Sequence, residues 1–337
     1  MITSRLDKYP YQISDRERQN LSQTIDYSQI NPLPEIWAIV AAKCGSVVAL
    51  NAPHLNPPIS LTYQELFTQI KLFATGLQSL GIQPHTGVAL FADNSLRWLI
   101  ADQGIMMAGA FNAVRSSQAE TQELISIIDN SGAKTLVVED LKTLEKLKDS
   151  LSDLSIGLII LLSDEKNDDD LSIKLLNFND VIALGHRHQF TPIALTKTDL
   201  ATLIYTSGTS GNPKGVMLSH GNLLHQVNTC GTVIPAPPGS RVLSILPSWH
   251  CYERSCEYYL LSQGCTQTYT NIRYLKPDLK EYQPQYLVSV PRLLESIYEG
   301  IQKQFREQSP QQQKLVNTCL DVSQKYIQAR RIVNGLS

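Results

Sequence analysis

Residues 200–216 read LATLIYTSGTSGNPKGV, a short apolar run followed by a segment rich in glycine, serine and threonine with one lysine. The apolar run predicts a buried strand. Gly208, Gly211 and Gly215 lack Cβ, so they allow positive φ and a close approach of the backbone, which can turn consecutive N–H groups towards an anion. The segment therefore predicts an anion-binding loop, and phosphate is the expected anion.

Side chains of the same loop add further donors. The hydroxyl groups and the single ammonium group belong to Thr206, Ser207, Thr209, Ser210 and Lys214. The loop is not a standard P-loop, because two residues separate Gly211 from Lys214 and the residues 216–218 predict a second strand instead of a helix. We expect the tip of a two-stranded hairpin, followed by a helix that begins within Ser219–Asn222. The alternative is a flexible Gly/Ser loop on an ordinary hairpin.

The chain before this loop alternates between helix and strand signals. Thr62 and Glu65 form a capping box, and the helix that they begin carries apolar residues at helical spacing up to Gly81, which ends it. A strand at 88–91, a helix from Asn94 to Gly109, a helix at 120–130 and a strand at 135–138 follow. This alternation is typical of an α/β fold with a mostly parallel sheet that is covered on both faces.

A second group of candidate residues follows a predicted strand at 241–245. Trp249, His250 and Tyr252 come after this strand, so their side chains should lie at the carboxyl end of a sheet, where open α/β folds bind ligands. The aromatic neighbours of the histidine suit an apolar channel. A hydrogen-bonded core histidine is the alternative, and the loop upstream favours the binding role.

These segments resemble the adenylate-forming (AMP-binding) superfamily, which includes acyl-CoA synthetases, luciferases and peptide-synthetase adenylation domains. The run Tyr205–Val216 resembles the phosphate-binding signature of the superfamily, Leu61–Leu66 its early helix motif and Asn94–Trp98 the next segment. Further on, the chain most resembles the long-chain acyl-CoA and acyl-carrier-protein ligases of cyanobacteria and plastids, at Trp249–Arg254, Gln263–Thr266 and Val288–Tyr298. The resemblance implies a large N-terminal α/β domain with layered, mostly parallel sheets flanked by helices.

The resemblance also implies a reaction and the residues for it. A long-chain fatty acid attacks the α-phosphate of ATP, an acyl-adenylate forms, pyrophosphate leaves, and the thiol of coenzyme A or acyl-carrier protein takes the acyl group. Nucleotide and phosphate binding falls to Thr206, Ser207, Gly208, Thr209, Ser210, Gly211 and Lys214, with Mg²⁺ held through the ATP phosphates. Lys214 and His250 are the implied catalytic residues, and Trp249, His250 and Tyr252 the implied acyl contacts. Some long-chain relatives place an aromatic gate four residues after the histidine, where this chain has Arg254.

Arg292 opens a predicted helix after the strand-like run 288–290 and Pro291. In the long-chain branch that the segment resembles, an arginine here could contact a phosphate or the pantetheine arm of the thiol. The equal alternative is an arginine near a helix N-terminus that bonds a neighbouring carboxylate such as Glu295.

The resemblance covers nearly all of the chain but only the N-terminal part of such an enzyme. The adenine-binding segment, the ribose-binding aspartate and the lysine of the mobile domain cannot be found in the sequence. We expect an extension at 1–36, a first α/β subdomain at 37–185, the start of a second at 186–302, and a helical segment at 303–337. The chain alone is expected to be impaired in adenylation and to expose a sheet edge. The alternative is a non-catalytic remnant that binds nucleotide or acyl chains.

Composition argues against several other classes of protein. The 337 residues carry a net charge of −2, which gives no basic field for nucleic acid. The six cysteines show no C-x-x-C spacing and the acidic run 164–170 is expected to be a solvated loop, so disulfides and metal sites are not predicted. No apolar run reaches the roughly 18 residues of a membrane span, because Asp102 and Gln103 interrupt the richest stretch. A cytoplasmic location fits best, and peripheral contact with a membrane stays open.

Overall fold

The computed structural model describes residues 13–166, 173–206 and 213–333. The chain divides into two units, Met1–Val288 and Ser289–Ser337. The first unit contains two sheets and ten α-helices among its described residues. The second contains two helices, Pro291–Arg306 and Pro310–Val333, in the part that is described.

The larger sheet has seven strands in the order β7-β6-β5-β3-β4-β8-β9. All neighbours are parallel except β8 and β9, which form an antiparallel hairpin. The strands are β3 (Gly87–Phe91), β4 (Phe111–Arg115), β5 (Thr135–Val138), β6 (Leu158–Leu161), β7 (Lys174–Asn177), β8 (Leu200–Thr206) and β9 (Lys214–Ser219). The predicted α/β class with a mostly parallel sheet is confirmed.

The smaller sheet has five strands in the order β12-β10-β11-β1-β2, and only β1 and β2 are antiparallel. Its strands are β1 (Val48–Ala52), β2 (Ile59–Thr62), β10 (Arg241–Ser244), β11 (Thr266–Tyr269) and β12 (Tyr286–Leu287). The expected boundary at 185/186 does not separate the two sheets, because β8 and β9 complete the larger sheet and β1 and β2 belong to the smaller one.

The helices of the first unit are α1 (Asp15–Ser22), α2 (Glu35–Cys44), α3 (Tyr63–Ser79), α4 (Leu96–Met107), α5 (Thr121–Ser131), α6 (Leu141–Glu145), α7 (Phe178–Arg187), α8 (His220–Thr229), α9 (Cys251–Ser262) and α10 (Leu275–Tyr282). The helices of the second unit are α11 (Pro291–Arg306) and α12 (Pro310–Val333). Local signals place several helix ends correctly. The Thr62–Glu65 capping box begins α3, and Gly81 follows its end with φ of +88°.

The larger sheet has an apolar layer on each face. Val88 and Leu90 of β3 belong to one buried cluster with α2, α3 and α4, while Ala89 and Phe91 belong to a second with α5 and α6. Successive residues of a strand point to opposite faces, so this alternation shows that both faces are covered. The hydrophobic effect thereby fixes the sheet, and the polar side chains after the strands are left at its carboxyl edge.

The secondary structure near the end of the first unit differs from the sequence-based prediction. The run 288–290 was expected to be a strand, but the strand is Tyr286–Leu287, and Pro291 is the first residue of α11. Proline fits that position because the first helical N–H has no partner within the helix.

Among the helices that the structure describes, none is both long and apolar enough to cross a bilayer.

Candidate functional site

The hairpin predicted from the glycine-rich segment is formed by β8 and β9. Thr206 and Lys214 are the last paired residues of this hairpin, and both are exposed. Residues directly opposite each other on antiparallel strands project from the same face. The hydroxyl and the ammonium group therefore lie together at the end of the hairpin from which the connecting segment 207–212 leaves. The predicted phosphate contacts Ser207, Gly208, Thr209, Ser210 and Gly211 lie outside the described residues.

The base of the hairpin is packed around Tyr205. This ring is 3% exposed, and its hydroxyl donates to Oδ1 of Asn130 in α5 at 2.8 Å. Gly215 lies opposite Tyr205, and a Cβ there would come within 3.0 Å of the tyrosine ring. Gly215 does not use the positive φ that glycine allows, because this residue lies in a regular strand. Its missing side chain makes room for Tyr205 instead.

Polar residues from three strands meet at the carboxyl edge of the sheet. The order of the strands changes direction at β3. The chain passes from β3 to β4 on one side and then returns to β5 on the other side of β3. Asp93 follows β3 and accepts hydrogen bonds from Ser116 at 2.8 Å, Ser117 at 3.3 Å and the indole N–H of Trp249 at 3.2 Å. Such switch points are where open α/β sheets bind ligands.

Asn94 connects this edge to the loop that carries Trp249 and His250. Its Oδ1 accepts from the backbone N–H of Ser248 at 2.6 Å, and its amide donates to the backbone oxygen of Leu246. A single side chain thus holds the loop after β10 of the smaller sheet against the end of β3 in the larger one.

A cavity of about 550 Å³ lies beside this loop. One wall is formed by Asp93 and Asn94, and Trp249 lines the cavity with Tyr269. The predicted acyl residue Trp249 is therefore in a cavity wall, whereas His250 and Tyr252 are not among its lining residues. The cavity is mixed in character, so it offers apolar contacts and a few polar anchors.

His54, which the sequence does not single out, also lines the cavity and pairs with Asp278 behind the lining residues Thr270 and Tyr274. His54 Nε2 lies 2.7 Å from Oδ2 of Asp278, and the ring of His54 stacks on Tyr274 with centroids 3.7 Å apart. Asp278 also accepts a hydrogen bond from Thr270. These residues come from the loop after β1 and from the region of α10, so no local spacing links them.

His250 caps the N-terminus of α9. Its Nδ1 accepts from the backbone N–H of Tyr252 at 3.3 Å, so in the neutral ring the proton is on Nε2. His250 is exposed, and Tyr252 is 47% exposed. Among the described residues, Nε2 of His250 has no hydrogen-bond partner, so its N–H can meet an anion at a helix N-terminus, where the helix dipole favours negative charge.

One turn into α9, Arg254 is completely buried. Its guanidinium donates to Asp102 of α4, to Oδ1 of Asn112 at 3.0 Å and to Thr202 of β8 at 2.8 Å, and its Nε donates to Tyr258 at 2.7 Å. Sequence reasoning identified Arg254 only as the position of an absent aromatic gate. The structure shows that this arginine connects α9 to the larger sheet.

Two glutamates on the same helix are buried against the smaller sheet. Glu253 accepts from Ser244 at 2.7 Å, and Glu257 accepts from Gln267 at 2.6 Å and Tyr269 at 2.9 Å. Among the described residues, the second carboxyl oxygen of each has no partner. Burial raises the pKa of Glu253 to about 8 and the pKa of Glu257 to about 7, because it penalises the charged form. Near neutral pH the Glu253 carboxyl is therefore mostly protonated and the Glu257 carboxyl about half protonated.

These carboxyl groups predict a loss of stability on the alkaline side. Their folded pKa values exceed the unfolded value of 4.5, so the folded state holds more protons between pH 4.5 and 8 and stability falls as pH rises. His220, whose pKa burial lowers to about 4, acts in the opposite direction only below pH 6.5. Between pH 6.5 and 8 we expect the free energy of unfolding to fall by roughly 2 kcal/mol, with the larger share from Glu253.

The variant Glu253→Gln isolates this effect, because the amide resembles the protonated acid and keeps an acceptor for Ser244. Urea unfolding at pH 6.5 and 8 should show a clearly smaller decline for this variant. Glu281→Gln, which changes an exposed carboxylate, is the matched control and should keep the full decline. An unchanged decline in Glu253→Gln would show that Glu253 is already ionised at pH 6.5.

Arg292 lies in α11 of the second unit and is exposed. Among the described residues it forms no ion pair with Glu295. No salt bridge therefore supports the alternative that Arg292 bonds this neighbouring carboxylate. Its contact with a phosphate or pantetheine group stays a prediction.

Comparison with known proteins gives one consistent family. The family model for AMP-binding enzymes matches residues 38–326. A chloroplastic long-chain-fatty-acid–[acyl-carrier-protein] ligase of Arabidopsis thaliana is 42% identical over 328 residues, which cover 92% of this chain and 45% of the relative. A probable acyl-activating enzyme from the chloroplast of the same plant is 41% identical over 90% of this chain and 44% of its own length. The chain thus spans about half the length of these curated relatives.

Solved structures agree on the fold. The crystal structure of a long-chain-fatty-acid-CoA ligase from Archaeoglobus fulgidus matches with a TM-score of 0.73 at 20% identity, covering 88% of this chain and 57% of that one. At this identity the match supports the architecture of the two sheets and says nothing about the substrate.

Proposed function

Because the chain belongs to the AMP-binding enzyme family, we propose that it carries the phosphate-binding and acyl-carboxylate-binding part of a long-chain fatty-acid ligase. In this reaction a carboxylate oxygen of the fatty acid attacks the α-phosphorus of ATP, the bond to the bridging oxygen breaks, and pyrophosphate leaves with the bonding electrons. The thiol of coenzyme A or acyl-carrier protein then attacks the acyl carbonyl and releases AMP. The name of the Arabidopsis relative at 42% identity supports the substrate class.

The observation that carries the proposal is the position of Lys214. It lies opposite Thr206 at the exposed end of the β8–β9 hairpin. There the ammonium group can neutralise charge that develops on the leaving pyrophosphate, and stabilising such charge is usually the largest catalytic contribution. The loop residues Ser207, Gly208, Thr209, Ser210 and Gly211 are proposed to add backbone and hydroxyl donors.

On the acyl side we propose that His250 donates from Nε2 to the fatty-acid carboxylate. Its Nδ1 is occupied by the N–H of Tyr252, which fixes the tautomer that donates. The cavity beside Trp249 is proposed to receive apolar atoms of the substrate. Tyr252 is proposed as a further contact of the acyl chain. Arg292 is proposed to contact a phosphate or the pantetheine arm of the thiol.

Mg²⁺ is proposed to arrive bound to the phosphates of ATP. Magnesium keeps several waters and is commonly held by one or two protein groups together with substrate phosphates. The hydroxyl of Thr206, exposed at the end of the hairpin, is the described side-chain oxygen of the predicted phosphate site. The ion would offset negative charge on the phosphates, while Lys214 and the loop orient them.

Two measurements on the purified chain test the function. Isothermal titration with pyrophosphate and with palmitate measures the two binding partners separately, and palmitate-dependent exchange of labelled pyrophosphate into ATP measures adenylation. We expect binding of both ligands, weaker palmitate binding in His250→Ala, unchanged binding in the exposed control His186→Ala, and exchange that depends on palmitate. Failure of both ligands to bind would overturn the proposal.

A second candidate is a protein that binds nucleotide or acyl chains without turnover. Binding of both ligands with no exchange supports this candidate, whereas exchange at the rate of a complete ligase excludes it.

The cellular setting is also part of the proposal. All six cysteines are free in the structure, which suits a reducing compartment such as the cytoplasm. Peripheral contact with a membrane is proposed only as a route by which a poorly soluble fatty acid reaches the site. Sedimentation with vesicles of phosphatidylglycerol, with and without palmitate, tests that contact.

A further inference from the structure

Arg254 bonds two neighbouring strands at one level of the larger sheet. Asn112 of β4 and Thr202 of β8 are register partners across the two strands. One guanidinium nitrogen donates to Oδ1 of Asn112 at 3.0 Å and the other to the hydroxyl of Thr202 at 2.8 Å. The rigid fork of arginine makes such two-point contact possible, and it fixes both the rotation and the translation of α9 along the sheet.

The same arginine is linked to His250 through the backbone. The N–H of Arg254 donates to the backbone oxygen of His250 at 3.2 Å, in the first turn of α9. The first turn of α9, which Arg254 anchors to the sheet, therefore fixes the backbone position of His250. On the sheet side, Thr202 lies four residues before Thr206 on β8, a distance of about 13 Å along an extended strand.

Arg254 is not needed simply to fill space. A buried charge is costly unless it is fully paired, and apolar residues of similar volume often serve stability equally well. Here four different side chains satisfy the guanidinium, and they come from β4, β8, α4 and α9 itself. Such an arrangement selects one register between the helix and the sheet, which is the best-attested use of a buried polar group.

We propose that Arg254 is a positioning residue that couples the two ends of the site, so that an anion at Lys214 and Thr206 strengthens carboxylate binding at His250. The inference rests on the proposed function, and it adds that the two binding events communicate through α9 and β8. The coupling runs through contacts that neither ligand touches.

The test compares three variants with the unchanged chain. Thr202→Val removes the acceptor on β8 while keeping the shape of the side chain, and Thr202→Ser is the matched control that keeps the hydroxyl. Arg254→Lys keeps a positive charge for Asp102 but cannot bridge Asn112 and Thr202 at the same time. Circular dichroism and thermal melting first establish that each variant is folded, and Arg254→Lys serves if Thr202→Val is not.

Palmitate affinity is measured by titration with and without saturating inorganic pyrophosphate and MgCl₂. We expect pyrophosphate to tighten palmitate binding by about fivefold or more in the unchanged chain and in Thr202→Ser, a usual size for coupled sites. In Thr202→Val and Arg254→Lys the factor should fall to nearly one, while each ligand alone binds within about threefold of its original affinity.

A second readout reports on His250 directly. The imidazole ¹H–¹³C signal of His250, assigned with His250→Gln, should shift when pyrophosphate is added to the unchanged chain and to Thr202→Ser. It should not shift in Thr202→Val, although pyrophosphate still binds. A purely structural role of Arg254 would change the melting temperature and leave this response intact.

The outcomes distinguish a failure of the proposed function from a failure of the coupling through Arg254. If neither pyrophosphate nor palmitate binds the unchanged chain, the proposed function fails and this inference fails with it. If both bind but the coupling factor is one in the unchanged chain, or is the same in folded Thr202→Val, only the role assigned to Arg254 is overturned.

Discussion

Replacing Asp102 with alanine is expected to lower the free energy of unfolding by about 3–5 kcal/mol, because it leaves Arg254 buried without its carboxylate. Both side chains are almost completely excluded from water, at 0% and 1% exposure. Asp102 also accepts hydrogen bonds from Asn112 at 2.8 Å and from Gln103 at 2.8 Å, so its removal leaves several donors without a partner. Urea unfolding followed by circular dichroism measures the loss.

An ion pair on the surface provides the matched control. Asp164 pairs with Arg97 at 2.8 Å and is 54% exposed, so Asp164→Ala should cost less than about 1 kcal/mol. The double variant Asp102→Ala, Arg254→Met removes both buried charges and should recover most of the loss. If Asp102→Ala costs no more than Asp164→Ala, the buried pair does not hold α9 to the sheet in the way that the structure indicates.

The contrast between Asp102 and Thr62 shows what a sequence can and cannot reveal. The capping box at Thr62 was predicted correctly because both of its partners lie within one helical turn. Asp102 was interpreted only as an interruption of an apolar stretch, since its partner Arg254 is 152 positions away. Local chemistry sets helix ends, whereas a buried ion pair becomes visible only when the tertiary fold brings its members together.

The candidate site likewise contains some features that follow from local sequence and others that depend on the tertiary fold. The β8–β9 hairpin and the position of Lys214 followed from a continuous segment of chain. The His54–Asp278 pair, 224 residues apart in sequence, and the bonds that Asn94 makes across to the loop before Trp249 did not. Gly215 illustrates a third case, since the sequence singled it out for the positive φ that glycine allows, whereas it lies in a regular strand. A Cβ at this position would come within 3.0 Å of the Tyr205 ring, a packing constraint that the sequence does not reveal.

Replacing Lys214 with methionine is expected to weaken pyrophosphate binding by about 10- to 100-fold, which corresponds to the loss of one hydrogen bond to a charged group. Lys214 is exposed and lies opposite Thr206 at the end of the hairpin, so the substitution removes the charge and leaves the aliphatic stem. Isothermal titration with pyrophosphate measures the change, and palmitate affinity measured without pyrophosphate should stay the same.

Controls must distinguish a direct contact from a general loss of positive charge. Lys174→Met makes the same change at an exposed lysine that begins β7, at the amino end of a strand in the same sheet. Because charges separated by more than about 10 Å are largely screened at 0.1 M salt, Lys174→Met should leave pyrophosphate affinity unchanged there. Lys214→Arg, which keeps the charge, should recover part of the affinity. If Lys214→Met and Lys174→Met weaken binding equally, and both losses disappear with added salt, Lys214 acts only as background charge and the hairpin is not the pyrophosphate site.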